Sequence, residues 1–309
     1  MRGRLLKFAF RGLVVILLSA STNFVARGPQ SLETLSAQVH LPEFAENDPA
    51  LLAPPFRKFV SFMDEELDST NTVGAAYTIV HRGEILYTGT YGVCENGSRH
   101  KVDEHTLFRL ASVSKGFAGV LASILDQDGI FSLNDRVVDH YPGFTLKDSV
   151  STAELSIRNL LSHTTGLVPY AFDNLVEADQ DLYTIIDRLD EVNISAPPGE
   201  LYGYQNVMFS MLDPIASKAT GIPYQVLLQE KIFTPLGMRD ASAGPVNLEE
   251  NPNLAYPHVR TRNGYAALHP HEGYYNVLPA AGVNASISDM GQWLIALLGY
   301  KPEWLSDSV

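Results

Sequence analysis

Phe108-Arg109-Leu110-Ala111-Ser112-Val113-Ser114-Lys115-Gly116-Phe117 sets a serine and a lysine three residues apart at the start of an apolar-periodic segment. Val113, Phe117, Val120, Leu121, Ile124 and Leu125 recur at helical spacing up to Gly129, a residue suited to end a helix. Positions i and i+3 share a helix face, so Ser112 Oγ and Lys115 Nζ should converge on one pocket. A serine hydroxyl is a poor nucleophile until a base takes its proton, and a partly desolvated lysine can serve as that base. A helix N-terminus also favours the negative charge that develops when a hydroxyl attacks a carbonyl. These are the parts of a serine acyl-transfer site.

The four-residue pattern alone is weak, since average composition gives about one such match by chance in a chain of this length. Ser98-Arg99-His100-Lys101 repeats the spacing, but it follows Asn96-Gly97 in a polar stretch and reads as a surface turn. Ser112 taken alone would equally serve as an N-cap in front of a solvated lysine. A second segment adds weight. Pro197-Pro198-Gly199 delivers the chain to Tyr204-Gln205-Asn206, after which Val207, Met208, Met211, Leu212, Ile215 and Ala216 form another apolar helical face closed by Gly221. At such a junction a phenol and a carboxamide can enter one cavity. A phenol with a pKa near ~10 becomes a better proton carrier beside an ammonium, so Tyr204 is expected to relay the Ser112 proton while Asn206 orients lysine and substrate. Tyr274-Tyr275-Asn276 has the same pattern, is expected to lack a following helix, and is set aside.

Ser112-Val113-Ser114-Lys115 followed by Tyr204-Gln205-Asn206 resembles the penicillin-recognising serine hydrolases, in the branch with class C β-lactamases, D-aminopeptidases and family VIII esterases. Ile157–Leu167 (Ile-Arg-Asn-Leu-Leu-Ser-His-Thr-Thr-Gly-Leu) resembles that family's "LLSHTSGL" turn. Ile232–Met238 resembles its "IF-PLGM" segment, and Ala280–Met290 resembles its Gly- and Ser-rich loop leading into a late helix. The likeness runs from about Phe59 to Trp304. It implies an α+β fold of the β-lactamase/transpeptidase type: an antiparallel sheet flanked by helices, with a helical subdomain inserted between Ser112 and roughly Pro198. The pocket is expected between these parts, lined by the Ser112 helix and the Tyr204 loop. The resemblance also implies an acyl-enzyme on Ser112, with Lys115 and Tyr204 as catalytic partners and Asn206 binding substrate.

The family's third motif, Lys-Thr-Gly or His-x-Gly on a strand beside the nucleophile, has no counterpart after the Gly282–Met290 segment. His271-Glu272-Gly273 fits the bare pattern but precedes that segment and is soon followed by Pro279, so it is not assigned. The domain at 56–309 is therefore read as C-terminally incomplete. The resemblance gives that motif's strand one of two oxyanion donors, and loss of such a donor costs roughly 100–1000-fold in rate. The missing segment would also contribute strands to the sheet, and without them the hairpin is expected to have an unpaired edge. Two functions stay open. One is a serine hydrolase of an amide, β-lactam or ester substrate; the other is a non-catalytic penicillin-binding or sensor-like protein, or an inactive truncation product.

Bulk properties fit an exported globular protein. The 309 residues are 45% hydrophobic and 18% charged, enough to bury a sizeable core. Residues 1–20 hold Arg2, Arg4, Lys7, Arg11 and the apolar run Leu13–Leu18 without an acid, which reads as a signal peptide within 1–26. A periplasmic or secreted location follows, with an uncleaved N-terminal anchor as the alternative. Residues 27–55, polar and proline-bearing, read as a linker or N-terminal arm. Net charge is −13, and removing the four bases of residues 1–20 gives −13 − 4 = −17. Such a charge argues against nucleic acid or anionic lipid and leaves a small-molecule or peptide substrate as the expected partner. Cys94 is the sole cysteine, so no intrachain disulfide can form.

A helix is expected near Phe56–Asp68 and a hairpin from Thr72–Val80 and Ile85–Val93 around His81-Arg82-Gly83-Glu84. From Ser112 onward helices should dominate. His163, in its Ser-His-Thr-Thr-Gly turn, reads as a hydrogen-bonded structural histidine, and Ser114 as packing around the site. His258, His269 and His271 lack the spacing of a zinc site, so neither metal nor cofactor is expected. Asn96, Asn193 and Asn284 each begin a glycosylation sequon, which has meaning only in a eukaryotic secretory pathway.

Overall fold

The computed structural model describes residues 14–19, 48–247 and 251–305. The chain divides into two compact units: Met1–Phe108 with Asn253–His269 and Ser286–Asp307, and Arg109–Pro252 with Pro270–Ala285 and Ser308–Val309. The fold is α+β, with antiparallel strands and many short helices.

In the first unit a three-stranded antiparallel sheet runs in the order β1 (Val14–Ser19), β2 (Gly74–His81), β3 (Glu84–Gly92). The hairpin falls within two residues of its expected place. Its turn uses two left-handed residues, Arg82 at φ 53° and Gly83 at φ 86°, the backbone a two-residue reversal between twisted strands requires. The central strand β2 is buried on both faces, which explains its nearly unbroken apolar sequence. Ala75, Tyr77 and Ile79 meet Phe56, Val60, Met63 and Leu67 of helix α1 (Pro54–Ser69). Val80 points the other way and joins Leu294 and Ile295 at the end of the Ile287–Ile295 helix. That helix begins with a capping box in which Ser286 and Asp289 exchange side-chain to backbone bonds.

The second edge of β2 is paired, whereas β3 ends the sheet, so among the described residues one edge of the hairpin carries no further strand. Val14–Ser19 pairs along β2 from Val14 opposite Val80 to Ser19 opposite Ala75. An exposed edge presents a row of unmet N–H and C=O groups, and an extended backbone answers them. Five of these six residues, Val14–Leu18, lie inside the run expected to be a signal h-region. The remainder of residues 1–26, and residues 27–47, lie outside the described residues.

The second unit carries the helices. Short ones at Val137–His140, Ser149–Glu154, Ile157–Leu161, Asp173–Glu177 and Leu182–Ile186 occupy the stretch expected to be a helical insertion. Helix α2 (Ser114–Gln127) buries Phe117, Ala118, Leu121, Ala122 and Leu125 and packs against the Leu278–Ala281 and Leu212–Thr220 helices. The Phe117 ring meets Phe233 edge-on at 5.9 Å. The Tyr204 junction feeds the Asn206–Ser210 and Leu212–Thr220 helices, the latter closed by Gly221 at φ 73°, the left-handed backbone that favours glycine at a helix end. Tyr275–Val277 forms a 3-10 turn and Leu278–Ala281 a helix, so the second Tyr-x-Asn does precede a helix. Proline at the second helical position is compatible there, because the first turn needs no internal N–H bond.

Candidate active site

The Ser112 segment is shaped by the short strand Val283–Ala285. Leu110 N–H donates to Val283 O at 2.9 Å, and Val283 N–H donates to Ser114 Oγ at 3.0 Å. Between these two bonds Ala111 takes φ 46°, a left-handed backbone that a non-glycine residue adopts only when its surroundings impose it. Ser112 then lies in a 3-10 turn, Ala111–Val113, one step before α2 rather than in its first turn. The side chain of Ser112 is exposed and that of Ser114 buried. Ser114 thus holds the turn, as its expected packing role implied.

Lys115 enters from the first turn of α2. Its Nζ lies 3.4 Å from Ser112 Oγ, 2.9 Å from Asn206 Oδ1 and 3.1 Å from the carbonyl oxygen of Ala280. It also sits over the Tyr204 ring at 4.7 Å from the centroid and near Phe209 at 5.4 Å. Burial pulls the ammonium pKa down to about 8, against a smaller opposing pull from Asp173. Tyr204 OH donates to Ser112 Oγ at 2.8 Å. All four residues expected at the site, Ser112, Lys115, Tyr204 and Asn206, are therefore joined in one hydrogen-bonded cluster.

The Tyr204 loop is held by the His163-Thr164-Thr165-Gly166 turn through backbone bonds. Gly203 N–H donates to His163 O at 2.8 Å, Gly199 N–H to Thr164 O at 2.8 Å, and Ser195 N–H to Gly166 O at 2.7 Å. Tyr170 N–H returns a bond to Tyr204 O at 2.8 Å. Gly166 has φ 84°, and a Cβ there would run into the Ala196 carbonyl oxygen, so only glycine permits this approach. His163 Nδ1 accepts from Gln205 N–H at 3.2 Å, and burial followed by the Lys115 charge lowers its pKa to about 4. Gln205 Nε2 bonds the Val168 carbonyl. His163 is a neutral, buried, hydrogen-bonded residue, as the sequence suggested.

One participant escaped the sequence reading. Asp173 Oδ2 accepts from Asn206 Nδ2 at 2.8 Å, while Asp173 Oδ1 is buried with no hydrogen-bond partner. Burial raises its pKa. In the sequence Asp173 looks like any of the chain's acids, and nothing in its spacing from Tyr204 marks it. The Ala280 carbonyl was equally invisible, because a backbone group carries no residue signature.

The residues set aside lie elsewhere. Ser98 Oγ accepts from the His100 N–H in an exposed turn. Tyr274 OH donates to Glu177, and Asn276 Nδ2 donates to the Val176 and Gln180 carbonyls. The carbonyls of His271 and Gly273 receive the Arg109 guanidinium. Among the described residues no group of three or more His, Cys, Asp or Glu is placed to hold a metal ion.

A sheet packed by helices, with serine, lysine and tyrosine converging from two helix-entry turns, defines an architecture shared with known proteins. Residues 59–306 match the Beta-lactamase family, and the chain belongs to that family. It is 28% identical over 277 residues to Beta-lactamase-like protein 2 of Dictyostelium discoideum, covering 85% of this chain and 49% of that protein. It is 28% identical over 280 residues to Esterase EstB of Burkholderia gladioli, covering 79% of this chain and 71% of the esterase. The fold matches the octameric penicillin-binding protein homologue from Pyrococcus abyssi with a TM-score of 0.69 at 21% identity, covering 81% of this chain and 57% of that one. Against several curated relatives the chain spans only about half their length.

Proposed function

We propose that this chain carries the nucleophile centre of a serine hydrolase that forms an acyl-enzyme on Ser112 from an amide, β-lactam or ester substrate. The observation that supports it most is the placement of Ser112 Oγ between Tyr204 OH at 2.8 Å and Lys115 Nζ at 3.4 Å. A neutral amine has two N–H donors and one lone pair. Asn206 Oδ1 and Ala280 O take the two donors, which leaves the lone pair of Nζ facing Ser112 Oγ. With a pKa of about 8, Lys115 is neutral in a useful fraction of molecules near neutral pH.

In this reading Lys115 removes the Ser112 proton as Oγ attacks the carbonyl carbon. The Ser112 N–H would be one donor to the resulting oxyanion. As the tetrahedral adduct collapses, Tyr204 gives its proton to the departing nitrogen or oxygen and recovers one from the Lys115 ammonium. Water then attacks the ester carbonyl, its proton passing to the same pair; the acyl–Oγ bond breaks, that proton returns to Ser112 Oγ, and the acid product leaves. Tyr170 and Tyr202, 59% and 65% exposed, lie ring to ring with Tyr204 at 5.5 Å and with His163 at 5.8 Å. They offer apolar faces to the non-reacting part of a substrate. The basic and apolar N-terminal segment supports a periplasmic or secreted location.

Intact-mass detection after treatment with a fluorescent penicillin and, separately, a fluorophosphonate tests the proposal. The expected result is one adduct on Ser112 that Ser112→Ala abolishes. Saturable binding without any adduct would instead identify a non-catalytic, sensor-like protein.

A further inference from the structure

Lys115 is aimed at Ser112 by two acceptors, Asn206 Oδ1 and Ala280 O, and only the carboxamide has two ends that fit the same space. The Asn206 side chain bridges two unlike partners: Oδ1 accepts from Lys115 Nζ at 2.9 Å, and Nδ2 donates to Asp173 Oδ2 at 2.8 Å. An ionised carboxylate can only accept, so it admits the NH₂ end and rejects the oxygen end. We propose that Asp173 is a positioning residue for the nucleophile: its carboxylate fixes the orientation of the Asn206 carboxamide and thereby aims Lys115 Nζ at Ser112. This rests on the hydrolase reading for its catalytic consequence, but not for the geometry.

The local cost of Asp173 supports a functional role. Its Oδ1 is buried without a partner, and Glu177, one helical turn away, adds like charge, so this carboxylate is a poor choice for stability alone. A buried group that strains the fold while ordering reacting groups is expected at an active site. The chain also bends sharply to bring it there, with Tyr170 at φ 58° and Phe172 at φ 61° immediately before it.

Asp173 has an electrostatic reach as well, since its negative charge favours the ammonium form of Lys115. Of the other titratable groups, Tyr204 from the junction and His163 from its turn face Lys115, while Glu177, from the Asp173–Glu177 helix, and Tyr274, whose OH donates to Glu177 at 3.0 Å, face Asp173. Of these, Asp173 is the carboxylate whose charge opposes the loss of the Lys115 proton.

The test is Asp173→Asn, with Asp173→Ser as a second variant should the first fail to fold. Three readouts are compared with the parent protein: the Lys115 titration by NMR of ¹³Cε-labelled lysine, the pH profile of Ser112 acylation, and the melting temperature. Expected are a Lys115 pKa lower by roughly half a unit or more, an acid limb of acylation displaced equally toward low pH, and a plateau rate reduced about tenfold. The melting temperature should stay equal or rise. An unchanged Lys115 titration, with or without a lower melting temperature, overturns the proposal and leaves Asp173 a structural residue. Absence of any Ser112 adduct in the parent protein, with the Lys115 shift present in the variant, sinks the hydrolase reading alone.

Discussion

His163 and Tyr204 lie ring against ring, with centroids 4.5 Å apart and planes 38° from one another. The contact joins the turn at residues 163–166 to the residue that touches Ser112 Oγ, and it depends on the charge state of the imidazole. His163 Nδ1 accepts from Gln205 N–H, which a protonated ring cannot do. Burial and the nearby Lys115 ammonium both oppose that proton, and they hold the pKa at about 4.

Acid should therefore loosen the site through His163. Its folded-state pKa is depressed from 6.5 to about 4, so the unfolded chain binds the proton first. The stability contributed by the neutral ring is complete above about pH 6.5 and is lost as pH falls toward about 4. Melting temperature measured across pH 7 to 4 should drop more steeply in the parent protein than in His163→Gln. Parallel curves would show that His163 is not the responsible group.

On the proposed mechanism, base catalysis by Lys115 would set the opposite limb. The acylation rate of Ser112 should rise with pH and level off through about pH 8, where the buried amine becomes neutral. Lys115→Ala and Tyr204→Phe should each slow acylation by roughly 100-fold or more with little change in melting temperature. A flat profile, or near-normal kinetics in either variant, would reassign the proton carriers.

Gly166→Ala probes the support beneath Tyr204. The substitution places a methyl group against the Ala196 carbonyl at a backbone angle of φ 84°. We expect a stability loss of about 2 kcal/mol or more, measured by denaturant unfolding, together with slower acylation. Full stability would mean that the turn relaxes without strain.

Strand β1 poses a choice that processing would decide. Removal of residues 1–26 by a signal peptidase would delete Val14–Ser19 and expose the backbone groups of β2 from Ala75 to Val80. N-terminal sequencing of the mature protein reports whether this happens. A chain that starts beyond Ser19 should self-associate more readily than one that retains β1, as read by light scattering at matched concentration; equal scattering would show that the β2 edge is answered by another route.

Much of the fold was legible because its signals are local. Runs rich in β-branched and aromatic residues around the turn at Arg82-Gly83 mark the hairpin, and helical periodicity with a terminal glycine marks α2 and the Leu212–Thr220 helix. What defeated local reading was pairing. The run Val14–Ser19 suits an h-region and a sheet edge equally, since both ask only for apolar residues. The helix after Tyr275 was hidden by Pro279, which breaks most patterns but is harmless in a first turn.

The sequence by itself determined which groups could react: a serine and a lysine one turn apart, and a tyrosine and an asparagine two residues apart at a second helix entry. Only the tertiary structure decided that Tyr204 OH reaches Ser112 Oγ, that the Ala280 carbonyl and Asn206 divide the donors of Lys115, and that Asp173 orients Asn206. The physical reason is range. Helix and turn propensities act over a few residues, whereas the direction of a lone pair depends on acceptors brought from 91 and 165 positions away, which no local pattern encodes.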